Sequence, residues 1–218
     1  MRTIRKCDTL PIIMGIARDG YPFILGFFIV SSILDYVLPA VALPFWLLTA
    51  LIVWFFRDPN RTITPNSSQF LSPADGTIQS VTQVELNGQK YHHIVIFLSV
   101  FNVHINRIPY DGTVVSTQHK PGLFKAAFDP TIHEKNERME IDIDTAHGRI
   151  RVVQIAGLLA RRIVCRLSPK QTVTQGDRFG MIKFSSRTDL YVPADTTTVL
   201  VAKKDKVKGG LTVLATLN

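Results

Sequence analysis

Hydrophobic and polar positions divide this chain into two parts with different patterns. From Tyr21 to Phe56 the only charged residue is Asp35. Two apolar runs flank it, Tyr21–Leu34 (YPFILGFFIVSSIL) and Val37–Phe56 (VLPAVALPFWLLTALIVWFF). They read as a helical hairpin, each arm close to the roughly 17–20 apolar residues that a membrane span needs. Pro39 and Pro44 are expected to break or kink the second arm. Arg2, Arg5, Lys6 and Arg18 precede the hairpin, and Arg57 and Arg61 follow it. Basic flanks at both outer ends place both on the cytoplasmic side of a cell membrane. A spanning hairpin and a half-embedded one both fit, with Tyr36, Trp46 and Trp54 suited to the interface. A cleaved signal peptide fits poorly, because two apolar runs follow one another without a small-residue cleavage site. The bland alternative is a buried helical hairpin in a soluble fold.

The pattern changes at Arg57. Residues 57–70 (RDPNRTITPNSSQF) read as a polar linker. Beyond it come short β-like runs separated by Gly, Pro, Asp and Asn: Thr77–Val84, His92–Val100, Gly112–Thr117, Met139–Ile143, Ile150–Ile155, Ile163–Leu167, Phe179–Phe184, Leu190–Val192, Val199–Ala202 and Leu211–Thr216. Only Lys120–Phe128 and Ala156–Arg162 look weakly helical. The expected fold is mainly β (α+β): a compact antiparallel β domain behind an N-terminal hydrophobic helical hairpin. Residues 1–62 form the expected anchoring segment and 63–218 the expected catalytic domain. Ala74–Ile78, Gly176–Ile182 and Val207–Val213 each read as a turn leading into a strand, as in biotinyl and lipoyl carrier domains. The lysine-centred hairpin that carries biotin or lipoate is missing, so the likeness is one of sandwich architecture alone.

Composition sharpens this picture in two places. The chain has 218 residues, enough for a membrane segment and one domain, and apolar residues make up 46%. Mean hydropathy is +0.16, with the apolar excess concentrated near the N-terminus. Net charge is +8. A basic protein favours anionic partners, and the apolar hairpin selects an anionic lipid surface over nucleic acid. The two cysteines, Cys7 and Cys165, are far apart and read as free thiols in a reducing compartment.

Familiar catalytic motifs are missing: there is no HExxH, CxxC, GxSxG, P-loop or GxGxxG, and no metal site is expected. His92 and His93 are neighbours on a β-like run, so they face opposite ways and cannot form one ligand set. Phe97–Pro109 (FLSVFNVHINRIP) is more informative, because it ends an apolar strand in a polar cluster. There His104 offers a proton carrier near neutral pH, Asn106 an amide, and Arg107 a fixed cation for a carboxylate or phosphate. Asp75, before Gly76, reads locally as a turn aspartate. Lys135-Asn136-Glu137-Arg138 reads as a solvated, charged loop. Ser185-Ser186 is, by itself, a pair of strand-end hydroxyls.

Together these stretches resemble the phosphatidylserine decarboxylase proenzyme family, in its short bacterial and archaeal (type A) form. The resemblance rests on Phe55-Phe56-Arg57-Asp58-Pro59-Asn60-Arg61, Ser72-Pro73-Ala74-Asp75-Gly76, Phe97–Pro109, Asn136-Glu137-Arg138, Gly157–Cys165 and Gly176–Pro193, in order along nearly the whole chain. It implies a zymogen that cleaves itself between Ser185 and Ser186 and converts Ser186 into a pyruvoyl group, its covalent cofactor. Large (1–185) and small (186–218) chains then stay together as a heterodimer. The implied reaction turns phosphatidylserine into phosphatidylethanolamine through a Schiff base between the substrate amine and that group. His104 is the implied proton carrier, Asp75 an aid to orientation or self-cleavage, and Arg107 with Asn106 the implied substrate binders. Archaetidylserine carries the same reacting headgroup and is an alternative substrate. A lipid-binding relative that does not process itself is the runner-up, and a carrier or scaffold domain a third reading. Two positions depart from the family pattern. Ser185 stands where the family usually has glycine, and His104-Ile105-Asn106-Arg107 stands where longer members have His-x-x-His.

Overall fold

The apolar N-terminal runs form two helices, α1 (Tyr21–Val37) and α2 (Pro39–Phe55), in a computed structural model that describes residues 15–123, 135–157, 162–183 and 186–218. They belong to the first of two compact units, Met1–Asn60, the second being Arg61–Asn218. The break between the helices falls at Leu38 (φ −140°, ψ 68°). The ring of Pro39 disfavours helical geometry in the residue before it. Asp35 and Tyr36 therefore lie inside α1 rather than between the arms. Pro39 starts α2, where its missing N–H costs nothing, but α2 also continues through Pro44, against the expected break. A proline inside a helix removes one backbone hydrogen bond, and here the helix tolerates it. Between the helices the hydroxyls of Ser31 and Thr49 meet at 2.9 Å, both buried. Arg18–Val37, counted with the 3-10 turn before α1, is 20 residues long with mean hydropathy 1.5, long and apolar enough to cross a membrane; α2 is shorter. Leu25, Ile33, Leu43 and Leu47 are each more than half exposed on these helices.

The second unit is built from fourteen strands among the described residues. They are β1 (Gln69–Leu71), β2 (Gly76–Leu86), β3 (Gln89–Leu98), β4 (Ile105–Arg107), β5 (Gly112–Lys120), β6 (Arg138–Thr145) and β7 (Gly148–Ala156). β8 (Ile163–Cys165), β9 (Thr172–Val173), β10 (Arg178–Ile182), β11 (Ser186–Pro193), β12 (Thr197–Val199), β13 (Lys206–Val207) and β14 (Val213–Leu217) follow. An eight-stranded curled sheet has the order β13-β2-β3-β11-β7-β6-β5-β9, and two three-stranded sheets have the orders β4-β10-β8 and β1-β14-β12. Every pair of these strands is antiparallel, as the alternating apolar runs predicted. The three sheets share one core, with Phe70, Ile96, Leu98, Ile108, Ile141, Val152, Phe179, Leu190 and Leu214 all buried in it. Bulges at Ile78/Ser80 in β2 and Val114/Ser116 in β5 add the local twist that lets the large sheet curl.

The two expected weak helices fall largely outside the described residues, and their first residues are strand. Lys120 is the last residue of β5, Leu123 makes a bridge to Asn136, and 124–128 lie outside the described residues. Ala156 is the last residue of β7, and 158–161 also lie outside them. Lys120 pairs with Arg138 and Ala156 with Ser186, so at these two positions the backbone is in the sheet.

Candidate active site

Antiparallel order brings several chain segments to one edge of the large sheet. β11 runs between β3 and β7, and its first residue, Ser186, pairs with Leu98 at the end of β3 and Ala156 at the end of β7. Thr77 pairs with Phe97, so the Asp75-Gly76 turn reaches the same edge, two strand spacings or about 10 Å from β11. β10 approaches from the smaller sheet: Met181 pairs with Ile105, and the Ile182 N–H donates to the His104 carbonyl at 3.3 Å. Ile182 packs on Ala156 and Ile163. Ser185, together with Phe184, lies outside the described residues. Ser186 is fully buried, and its Oγ has no hydrogen-bond partner among the described residues. An unsatisfied buried hydroxyl costs about 1–3 kcal/mol, so its presence calls for a chemical reason.

His104 lies in the segment between β3 and β4, fully buried. Its Nδ1 is 2.9 Å from the Asn102 carbonyl. A carbonyl only accepts, so Nδ1 carries the hydrogen and Nε2 is the basic nitrogen of the neutral ring. Asn102 is itself fixed by a tight turn. Its Oδ1 accepts from the Ser99 N–H at 2.9 Å and the Ser99 hydroxyl at 2.8 Å, and its own N–H donates to the Ser99 carbonyl at 2.9 Å. Ser99 and Asn102 thus set the tautomer of His104, a role that their residue types alone did not reveal.

The remaining expected residues are engaged in the framework around this edge. The buried Asn106 Nδ2 donates to Thr188 Oγ1 at 3.2 Å and to the Pro73 carbonyl at 3.4 Å, and its Oδ1 accepts from Gln154 Nε2 at 2.8 Å. Its amide ties β4 to β11 and β7. Arg107, also buried, donates through Nη1 to the Gly176 carbonyl at 3.0 Å. Asp75 accepts two bonds from Arg61, at 2.6 and 2.8 Å, and one from the Gly209 N–H at 2.7 Å. The Asp75-Gly76 turn is fixed by sterics as well: a Cβ on Gly76 would lie 2.2 Å from the Phe97 carbonyl oxygen. Strand pairing therefore places Ser186 and the Asp75 turn at one end of the large sheet, and Ile182, which bonds the His104 carbonyl, packs on Ala156 beside Ser186, while the Asn106 amide is buried.

Comparison with known proteins decides the family. The phosphatidylserine decarboxylase family model matches residues 48–215. A phosphatidylserine decarboxylase proenzyme of Wolbachia pipientis wMel is 43% identical over 220 residues, covering 97% of this chain and 94% of the relative. This chain belongs to the phosphatidylserine decarboxylase family. A second proenzyme of that name, from Chlorobium phaeovibrioides, is 47% identical over 167 residues, 76% of each chain. Membership in the decarboxylase family makes the chain an enzyme by descent.

Two features of this family member escaped the sequence pattern. Asn136 was expected on a solvated face, yet it is fully buried and donates to the Ala156 carbonyl at 2.7 Å, directly beside Ser186 in the sheet. The other is an ionic cluster on β11. Asp189, fully buried, accepts two bonds from Arg187, each 2.6 Å, and one from His93 Nε2 at 2.8 Å. Burial alone would push the Asp189 carboxyl up, but the hydrogen bonds from His93 and Arg187 outweigh it and hold it below the ordinary range. Burial, then the Asp189 charge, raises the Tyr191 hydroxyl. A carboxyl depressed on folding stabilises the fold above its unfolded pKa, about 3.9, and that stability is lost as pH falls through the lower folded value. Asp189→Asn strands the buried Arg187 charge and is expected to cost about 3–5 kcal/mol. Urea midpoints from pH 7 down to pH 2 check this: the variant starts lower and loses less stability on acidification.

Proposed function

We propose that this chain decarboxylates phosphatidylserine to phosphatidylethanolamine with a pyruvoyl group that it makes from its own Ser186. The observation that carries the reading is the buried Ser186 hydroxyl, without a partner among the described residues, at the start of a central strand. In the precursor that oxygen attacks the carbonyl of Ser185, its covalent neighbour, and the peptide becomes an ester as the Ser186 nitrogen is released. Loss of the Ser186 α-proton with departure of the Ser185 carboxylate then leaves dehydroalanine. Its enamine tautomerises, takes up water and loses ammonia, which gives the pyruvoyl group. Burial keeps water from competing for the ester. The environment fits the loss of that oxygen: a methyl group replaces a buried hydroxyl that has no hydrogen-bond partner among the described residues. When formed, the group supplies an electrophilic carbonyl for the substrate amine and an electron sink for the pair left by departing CO2.

The other residues take supporting roles in this proposal. His104 Nε2 moves the proton needed when the α-carbon is reprotonated. Arg107 supplies fixed positive charge for the serine carboxylate or lipid phosphate. Asn106 supports the substrate site through the strand it ties to β11, and Asp75 fixes the turn at the same edge. The N-terminal helices anchor residues 1–62 in the cell membrane, with the catalytic unit, 63–218, on the cytoplasmic face. The charge of +8 favours anionic lipid. After cleavage the small chain, 186–218, remains bound through the pairing of β11 with β3 and β7, β13 with β2, and β14 with β1.

Intact-mass measurement of purified protein, with an assay of CO2 release from phosphatidylserine, tests the proposal. Two chains, the smaller with a blocked N-terminus, and CO2 release are expected; one unbroken chain without turnover overturns it. Running archaetidylserine in parallel identifies the lipid. Ser185 in the place of the family's glycine favours a second reading, a non-processing lipid-binding relative. Glycine tolerates strained backbone more readily than serine. Wild type is expected to mature and Ser185→Gly to mature faster in a time course of chain cleavage. Cleavage in the glycine variant alone would favour the second reading.

A further inference from the structure

β11 starts at the proposed reactive residue, and its side chains alternate between two faces. Ser186, Thr188 and Leu190 share one face; Arg187, Asp189 and Tyr191 share the other. The second face is closed. The Arg187 guanidinium grips the Asp189 carboxylate through both Nε and Nη2, and these two side chains are only 7% and 1% exposed. His93, on β3, donates from Nε2 to the same carboxylate, since a carboxylate only accepts. The His93 ring stacks on Tyr191 with centroids 4.2 Å apart and planes 5° apart. Val153, Ile155 and Phe97 pack beside Tyr191 on this face.

We propose that Arg187, Asp189 and His93 form a clamp that positions residue 186 for chemistry once the chain has been cut. The inference rests on the cleavage proposed above. Before cleavage, Ser186 is held from both sides by covalent chain. Afterwards it is a chain terminus, and termini fray unless they are tied down. Ladder hydrogen bonds alone resist sliding poorly, and a slip of one residue would turn residue 186 to the opposite face. The clamp removes that freedom. Its fork-to-fork pair is directional, it begins one residue from the new terminus, and its third member lies on the large chain. Arg187 and Asp189 are therefore positioning residues: they act through the placement of residue 186 and do not touch substrate.

The test uses the full-length protein in detergent with phosphatidylserine. Wild type is compared with Arg187→Lys, which keeps the charge but loses the fork, and with His93→Phe and His93→Gln. Phenylalanine keeps the stack on Tyr191 without the donor, whereas glutamine restores a donor near the Nε2 position. Turnover is expressed per blocked small chain, counted by mass spectrometry, so poor folding or slow processing does not enter the rate. Arg187→Lys and His93→Phe are expected to lose about 10- to 100-fold in kcat with KM little changed, and His93→Gln to recover to within about threefold of wild type. A packing role alone would lower yield and thermal midpoint and leave kcat per small chain at the wild-type value, which overturns the clamp. Equal loss in His93→Gln and His93→Phe overturns it too. If wild type itself remains one chain, the proposed cleavage has failed rather than the clamp alone.

Discussion

Ser186→Ala is expected to remain a single polypeptide of 24.4 kDa and to release no CO2 from phosphatidylserine. Alanine has no oxygen to attack the preceding carbonyl, so neither the ester nor the electrophilic group can form. The loss is that of the whole catalytic advantage, about 10⁶-fold or more. The fold is not expected to suffer. The Ser186 hydroxyl is buried without a partner among the described residues, and its removal relieves a desolvation cost of about 1–3 kcal/mol. A thermal midpoint at or above that of the uncleaved precursor, measured alongside intact mass, separates loss of chemistry from loss of structure. Two chains from this variant would show that another residue drives the cleavage.

The second large effect belongs to His104. His104→Gln keeps polarity and comparable bulk in the buried segment held by Asn102 and Ser99, but it has no nitrogen that can gain and lose a proton near neutral pH. Cleavage into two chains is expected to persist. Turnover per mature small chain is expected to fall about 10²- to 10⁴-fold, the usual contribution of a positioned proton carrier. A time course of cleavage and single-turnover measurement of CO2 release on the same preparation distinguish the two steps. Wild-type turnover in His104→Gln would remove His104 from the decarboxylation.

The sequence pattern alone determined the helical pair, the β class of the second unit and most strand positions, because hydrophobic periodicity and turn residues act locally. The break at Leu38 could have been read from Pro39, since proline restricts the residue before it. The start of β11 could not. The expected strand covered only Leu190–Val192, and the structure extends it to Ser186–Pro193. Opposite charges can occupy a sheet interior when they neutralise each other, and the partner that completes the set, His93, lies 96 residues away. Asn136 was misplaced for a related reason, since its acceptor is the backbone of Ala156, 20 residues later.

The same division applies to the residues that carry the proposed chemistry. Family motifs picked out Ser186, His104 and Asp75, because each sits in a recognisable stretch. Residue types alone could not show that the Ser186 hydroxyl is buried and unpartnered among the described residues, or that Asn102 sets the His104 tautomer. A serine hydroxyl in water is an ordinary surface group. The pairing of Ser186 between Leu98 and Ala156 sets it in the sheet, where its hydroxyl is out of water and has no partner among the described residues; desolvation of that kind is a property of the assembled sheet.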